Sequence, residues 1–235
     1  MSDQILFQGN FPFCCILRFA KKTDPVVKQQ DKGLENQEDS PMDPPNAYEE
    51  PGKIEMKKED MSDSLKIFMD EHEAVLKVIG EFEKGIVEYK KNGYKLTNEI
   101  NKSFSTFFKS LDENILPHNR KEEKILFPVL NKKLIAAGEH SKGEKAVTAI
   151  DVMEDDHVKF IQLGALSFNL LGLSTRINDE RSRIFVLDTA YETARELVEL
   201  LKLHIYREDV TLFPIAQKLL SEDEWNELQI EMLKF

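Results

Sequence analysis

A chain of 235 residues with a formal net charge of −11, 41% hydrophobic and 32% charged, has room for one ordinary domain and an extension. The acidic balance argues against a nucleic-acid or anionic-membrane partner, and no apolar run reaches the roughly 18–20 residues that span a bilayer. The 2 cysteines, Cys14 and Cys15, are adjacent, which excludes a disulfide scaffold and makes a reducing compartment, the cytoplasm, the expected location.

Residues 1–60 differ in character from the rest. A short apolar run, Phe11 to Leu17, leads into a polar stretch broken by Pro41, Pro44, Pro45 and Pro51. Such a segment buries too little apolar surface to offset its ordering entropy, so a flexible extension is predicted there and a folded domain over residues 61–235.

From Ser62 onward helical periodicity takes over. A first helix is predicted from about Ser64 to Lys91, with Leu65, Phe68, His72, Val75, Ile79, Phe82 and Ile86 on one face and Asn92-Gly93 as its stop. A second, from about Thr97 to Ala136, presents Ile100, Phe104, Phe107, Leu111, Ile115, His118, Glu122 and Ile125. Kinks or fraying are expected at its internal Pro117 and Pro128. A loop over residues 138–143 holds His140. The third helix, about Lys145 to Leu173, places Ile150, Met153, His157, Phe160, Gly164, Phe168 and Leu171 together. The fourth, about Asp179 to Leu220, places Ala190, Ala194, Leu197, Leu201, His204 and Glu208 together. Ser221-x-x-Glu224 is a capping box that opens a short last helix. No stretch alternates with period two. The expected fold is all-α, an up-down-up-down four-helix bundle with a short C-terminal helix and a flexible N-terminal extension.

One string occurs twice. Residues 118–128 read His-Asn-Arg-Lys-Glu-Glu-Lys-Ile-Leu-Phe-Pro, and residues 204–214 read His-Ile-Tyr-Arg-Glu-Asp-Val-Thr-Leu-Phe-Pro. Each is His-x-x-x-Glu, then an acid, then Leu-Phe-Pro. His72 precedes His118 by 46 positions and His157 precedes His204 by 47, which points to an internal duplication.

Four of the 5 histidines thus fall on the inward stripe of four different helices. Residues four apart share a helix face, so His118 and Glu122 project together, as do His204 and Glu208. Any one of these alone reads as an ordinary buried residue with a satisfied ring or a half-exposed carboxylate. Six converging polar groups are different, because burying them unpaired is costly, and a pair of metal ions supplies the compensating charge. Imidazole and carboxylate without thiolate suit iron or manganese, with zinc possible. Six protein ligands shared by two ions leave coordination positions open, unlike a closed structural zinc site.

These strings, with Asp70-Glu71-His72-Glu73, Asp156-His157 and Leu220 to Glu224, resemble the hemerythrin-like family, whose domain is the HHE cation-binding domain. The resemblance covers about residues 62–235. It implies an oxo- and carboxylate-bridged non-haem di-iron centre, with His72, His118, His157 and His204 as terminal ligands and Glu122 and Glu208 as bridges. It further implies binding of dioxygen or nitric oxide in sensing or stress response.

Three departures set the chain apart from oxygen-carrying relatives. Ile161 stands where they place a fifth histidine, Glu208 lies four rather than five positions after the last histidine, and Asn119 replaces a second histidine common in bacterial members. Repair of iron–sulfur centres or other di-iron redox chemistry is the enzymatic alternative, and an iron-binding regulatory or storage module is the other. The repair branch carries Cys-Cys-Gly-Gly, whereas Ile16-Leu17 follow Cys14-Cys15 here. Of the flanking residues, Glu123 and Asp209 are expected to face a neighbouring helix, solvent or the ligand histidines, Tyr206 to pack outward, and Trp225 to anchor the last helix.

Overall fold

A computed structural model describes residues 56–143 and 145–234, and every regular element among them is helical. The assigned extension lies largely outside the described residues, Cys14 and Cys15 included. A 3₁₀ turn, Lys58–Asp60, precedes the first long helix, and Lys58 Nζ reaches Asp70 Oδ1 at 2.7 Å and Glu73 Oε1 at 2.6 Å.

Helix α1, Asp63–Lys91, opens on Ser62, whose hydroxyl accepts from the Leu65 amide, and it stops at Gly93 (φ +71°). Tyr94 follows, also left-handed at φ +61°, and its N–H closes on the Tyr89 carbonyl. Helix α2 covers residues 98–137, capped by Thr97 at the start and by left-handed Gly138 at the end. Helix α3, Ala149–Ser174, begins four residues later than the sequence pattern indicates. Thr148 and Asp151 form a capping box there, and Ser141 holds the preceding loop by bonds to Lys145 O and Val147 N. Helix α4 covers residues 180–219, and α5, Glu222–Met232, starts at the expected Ser221–Glu224 box. No helix among the described residues is long and apolar enough to cross a membrane.

The prolines do not fray α2. Leu111–Ile115 and Glu122–Leu126 are π turns, each lying just before Pro117 or Pro128, and Glu208–Leu212 is a third, just before Pro214 in α4. Each is closed by a bond spanning five residues: Leu116 N–H to Leu111 O, Phe127 N–H to Glu122 O, and Phe213 N–H to Glu208 O. A proline ring clashes with the carbonyl four residues back and offers no N–H. One widened turn relieves that clash while the helix continues.

Helix α1 packs on α2 and on α4, and α3 packs on α4. The core between them is apolar and aromatic, with Phe82 stacked on Phe107 at 3.9 Å between centroids. Each such fully buried side chain is worth roughly 1.5–3 kcal/mol. Gly164 lets α3 approach α2 closely, since a Cβ there would lie 2.6 Å from Leu111 Cδ2. This core lies on one side of the four histidines and holds their helices in place.

Candidate metal centre

All six residues singled out by spacing converge. His72 comes from α1, His118 and Glu122 from α2, His157 from α3, and His204 and Glu208 from α4. Each is 6% exposed or less, and the two glutamates are fully buried. They form two overlapping sets whose ligand atoms lie within 4.8 Å of one another: His72, His118, Glu122 and Glu208, and Glu122, His157, His204 and Glu208.

The carboxylate oxygens are divided between the sets. Glu122 turns Oε1 to His118 Nε2 (3.4 Å) and Oε2 to His157 Nε2 (3.6 Å). Glu208 turns Oε2 to His72 Nε2 and Oε1 to His204 Nε2, both at 3.2 Å. These contacts are within ion-pair range, yet none has hydrogen-bond geometry, so all four oxygens are buried without a hydrogen-bond partner. Within each set the two Nε2 atoms also face each other, at 2.9 Å for His72–His118 and 3.2 Å for His157–His204.

The outer ring nitrogens are engaged elsewhere. His72 Nδ1 lies 2.8 Å from Asp209 Oδ1, His118 Nδ1 2.7 Å from Glu71 Oε2, and His157 Nδ1 2.8 Å from Glu123 Oε1. An Nδ1–H donated to each carboxylate leaves Nε2 with a lone pair pointing into the centre. His204 is held more loosely: Asp156 Oδ2 is 3.7 Å from its Nδ1, and Arg207 and Lys159 also draw on that carboxylate. Glu71 is likewise paired with Lys121.

The sequence pattern found the six inner residues and left this outer ring half assigned. Glu123 and Asp209 are the histidine partners that it allowed for. Glu71 and Asp156 carried no role, although a signal was present: each acid immediately precedes a leading histidine and ties the other histidine of its half. Glu123 and Asp209 immediately follow a glutamate of the centre and tie a histidine of the opposite half.

A phenyl ring backs every imidazole. Phe213 stacks on His72 at 5.6 Å and Phe127 on His157 at 5.8 Å, so the Phe of each Leu-Phe-Pro string covers the leading histidine of the other half. Phe68 meets His118 edge-on at 5.3 Å, and Phe160 meets His204 at 4.9 Å. Phe160 occupies the inner position of its turn, whereas neighbouring Ile161 is 54% exposed. Tyr206 is exposed, His140 sits in its loop, and Trp225 is buried in α5.

Protons on the rings offset part of the carboxylate charge. Burial opposes charge on His72, and Asp209 and Glu208 overcome it, lifting the ring to about 10. Burial likewise opposes charge on His204, which Glu208 and Asp156 lift to about 9. His118 is raised by Glu122 and Glu71 against burial, whereas burial lowers His157. Against its own burial, Glu208 is held well below the usual carboxylate range by His204 and His72. A donor set of four imidazoles and two shared carboxylates, with four orphaned oxygens, fits two cations better than it fits protons.

A cavity of about 20 Å³ adjoins the centre, lined by His72, Val75, Ile115, His118, Asn119, Phe160, Leu201, His204 and Ile205. Asn119 is 5% exposed and its Nδ2 has no hydrogen-bond partner.

The family model described as hemerythrin HHE cation binding domain matches residues 63–216. No curated protein and no solved structure matches the chain significantly.

Proposed function

Because the chain belongs to the hemerythrin HHE cation-binding family, we propose that its buried histidines and glutamates hold two iron ions and a small diatomic ligand. His72 and His118 would hold one ion and His157 and His204 the other, with Glu122 and Glu208 common to both sets. The ligand is dioxygen or nitric oxide, and the role is sensing or stress response in the cytoplasm, on an up-down-up-down four-helix bundle.

The supporting observation is the set of four carboxylate oxygens at zero exposure with no hydrogen-bond donor. Leaving one charged group so placed costs several kcal/mol, and two together call for cations between them and the facing Nε2 atoms. Iron bound there supplies a redox-active centre with coordination positions free for an exogenous ligand. The protein's own groups do the rest. Asp209, Glu71 and Glu123 fix the tautomer and orientation of three rings, and Phe213 and Phe127 exclude water from two ring faces. Cys14 and Cys15, compared above with the repair branch's Cys-Cys-Gly-Gly, lie outside the described residues.

Metal analysis with optical spectra, followed by titration with dioxygen, azide and nitric oxide, tests the reading. Two irons per chain and a ligand-sensitive absorption band are expected. Zinc at one per chain, or full metal retention after combining His118→Ala with Glu208→Ala, would overturn it.

A further inference from the structure

Helix α3 shows solvent a different surface from its neighbours. Between Val158 and Leu173 no exposed position of the helix is charged. The large apolar ones are Val158, Ile161, Leu166, Phe168 and Leu173, each 48–59% exposed. Phe168, expected on the inner face, is the most open of them, with its ring edge-on to Phe108 at 5.2 Å. On α1, by contrast, every exposed position is charged except Ile67 and Ala74. In a chain that is 32% charged, about four turns of helix with no charge at any exposed position mark a contact surface.

The two ends of this face carry opposite charges. Glu154 and Asp155 are exposed one turn before Val158, and Arg176 is exposed just past the end of the helix. None of these three side chains forms an ion pair among the described residues. Ala165 is the midpoint, 11 residues from Glu154 and 11 from Arg176. It and Gly172 are the small residues of the face, and a Cβ at Gly172 would meet nothing within 4 Å. Glycine weakens a helix, and no neighbour within the chain requires it there.

We propose that two copies of this chain associate through α3, antiparallel about a two-fold axis at Ala165. At the shallow crossing of roughly 20° that keeps long helices in contact, Glu154 of each copy lies opposite Arg176 of the other, and Val158 opposite Gly172. A face whose charge changes sign about its midpoint complements itself, which is the condition for an isologous interface. Each chain carries a net charge of −11, so a second copy is repelled in general and is received where acids are absent and one end is basic. Exposed Ile161 belongs to this contact and not to the metal centre, and the association does not depend on which metal the centre holds. One helix face is smaller than the roughly 800 Å² per partner of a standard interface, so the dimer is weak and concentration-dependent.

Sedimentation equilibrium of the full chain tests it, over about 1 to 500 μM. The wild-type mass should rise from monomer toward dimer across that range. Ile161→Glu should weaken the association by at least about tenfold with helicity by circular dichroism unchanged, because it puts a charge inside the contact. Arg176→Glu should weaken it by roughly threefold or more, since acids then face each other. Combining Arg176→Glu with Glu154→Arg should restore it to within about twofold of wild type. If Ile161→Glu does not fold, this charge exchange decides. In Ala165→Cys, oxidation should join two chains through the introduced thiols. A wild-type chain that stays monomeric throughout, or a dimer that folded Ile161→Glu weakens by less than about twofold, would overturn the proposal. A disulfide formed within one chain, between the introduced thiol and Cys14 or Cys15, would also overturn it, by giving the face to the N-terminal segment.

Discussion

The Nδ1–H of His72 donates to Oδ1 of Asp209 across 2.8 Å, although the two residues are 137 positions apart in the chain. Asp209 directly follows Glu208, which faces the same imidazole from the inside at 3.2 Å. One turn of α4 therefore grips one ring of α1 from both sides.

That grip predicts the outcome of removing the outer carboxylate. Asp209→Asn keeps the shape and loses the charge that makes the imidazole a stronger donor to metal. Metal affinity should fall by roughly 10–100-fold, and the same holds for Glu123→Gln acting on His157. Competition against a chelator of known affinity measures it, and unchanged affinity would show that the outer ring contributes nothing.

Glutamates and histidines should differ in how many ions they cost. Glu208 contributes an oxygen to each set, so Glu208→Ala should abolish retention of both ions. His157 belongs to one set only, and His157→Ala should leave roughly one ion behind. Metal counted per chain after desalting separates the two patterns.

The pH dependence of the metal-free protein follows from the raised histidines. His72 at about 10 and His204 at about 9 are charged when folded and titrate near 6.5 when unfolded. Their contribution is full below pH 6.5 and is lost as pH rises through 9 and 10. Thermal unfolding in excess chelator should therefore shift to lower temperature between pH 7 and pH 10. His157, lowered by burial, acts with the opposite sign at the acid end. Metal binding displaces protons from His72 and His204, so the gain in melting temperature on adding metal should grow with pH over the same range.

Stability and metal binding should separate at Phe82. It is fully buried against Phe107, and lies ten residues, about 15 Å of helix, from His72. Phe82→Ala should cost roughly 3–5 kcal/mol in chemical denaturation with little change in metal content. Loss of metal from the folded variant would mean that the distant core sets the geometry of the centre directly.

The six inner residues were legible in the sequence because polar residues on an apolar stripe stand out, and because each half repeats the other. The π turns were not recognised, although their trace is present. His118, Glu122, Leu126, Leu130 and Leu134 are all buried at strict intervals of four, as are His204, Glu208, Leu212, Ala216 and Leu220. An unbroken α-helix gains about 40° per such step and would carry the later residues off the inner face. A prolonged period of four followed by Pro128 or Pro214 is the mark of a widened turn, and prolines read alone suggested only kinks. The late start of α3 was missed for a simpler reason: Thr148-x-x-Asp151 is a weaker capping signal than Ser221-x-x-Glu224, and the preceding loop is closed by Ser141 rather than by glycine.

Contacts cross between the halves in both directions. Residues 63–137 alone carry His72, His118 and Glu122, three of the four groups in their set, and lack the fourth, the outer partner of His72 and the ring that covers it. Residues 149–219 have the mirrored deficit, and each half holds what the other lacks. Each half is therefore the complement of the other, and neither set of four groups closes without both.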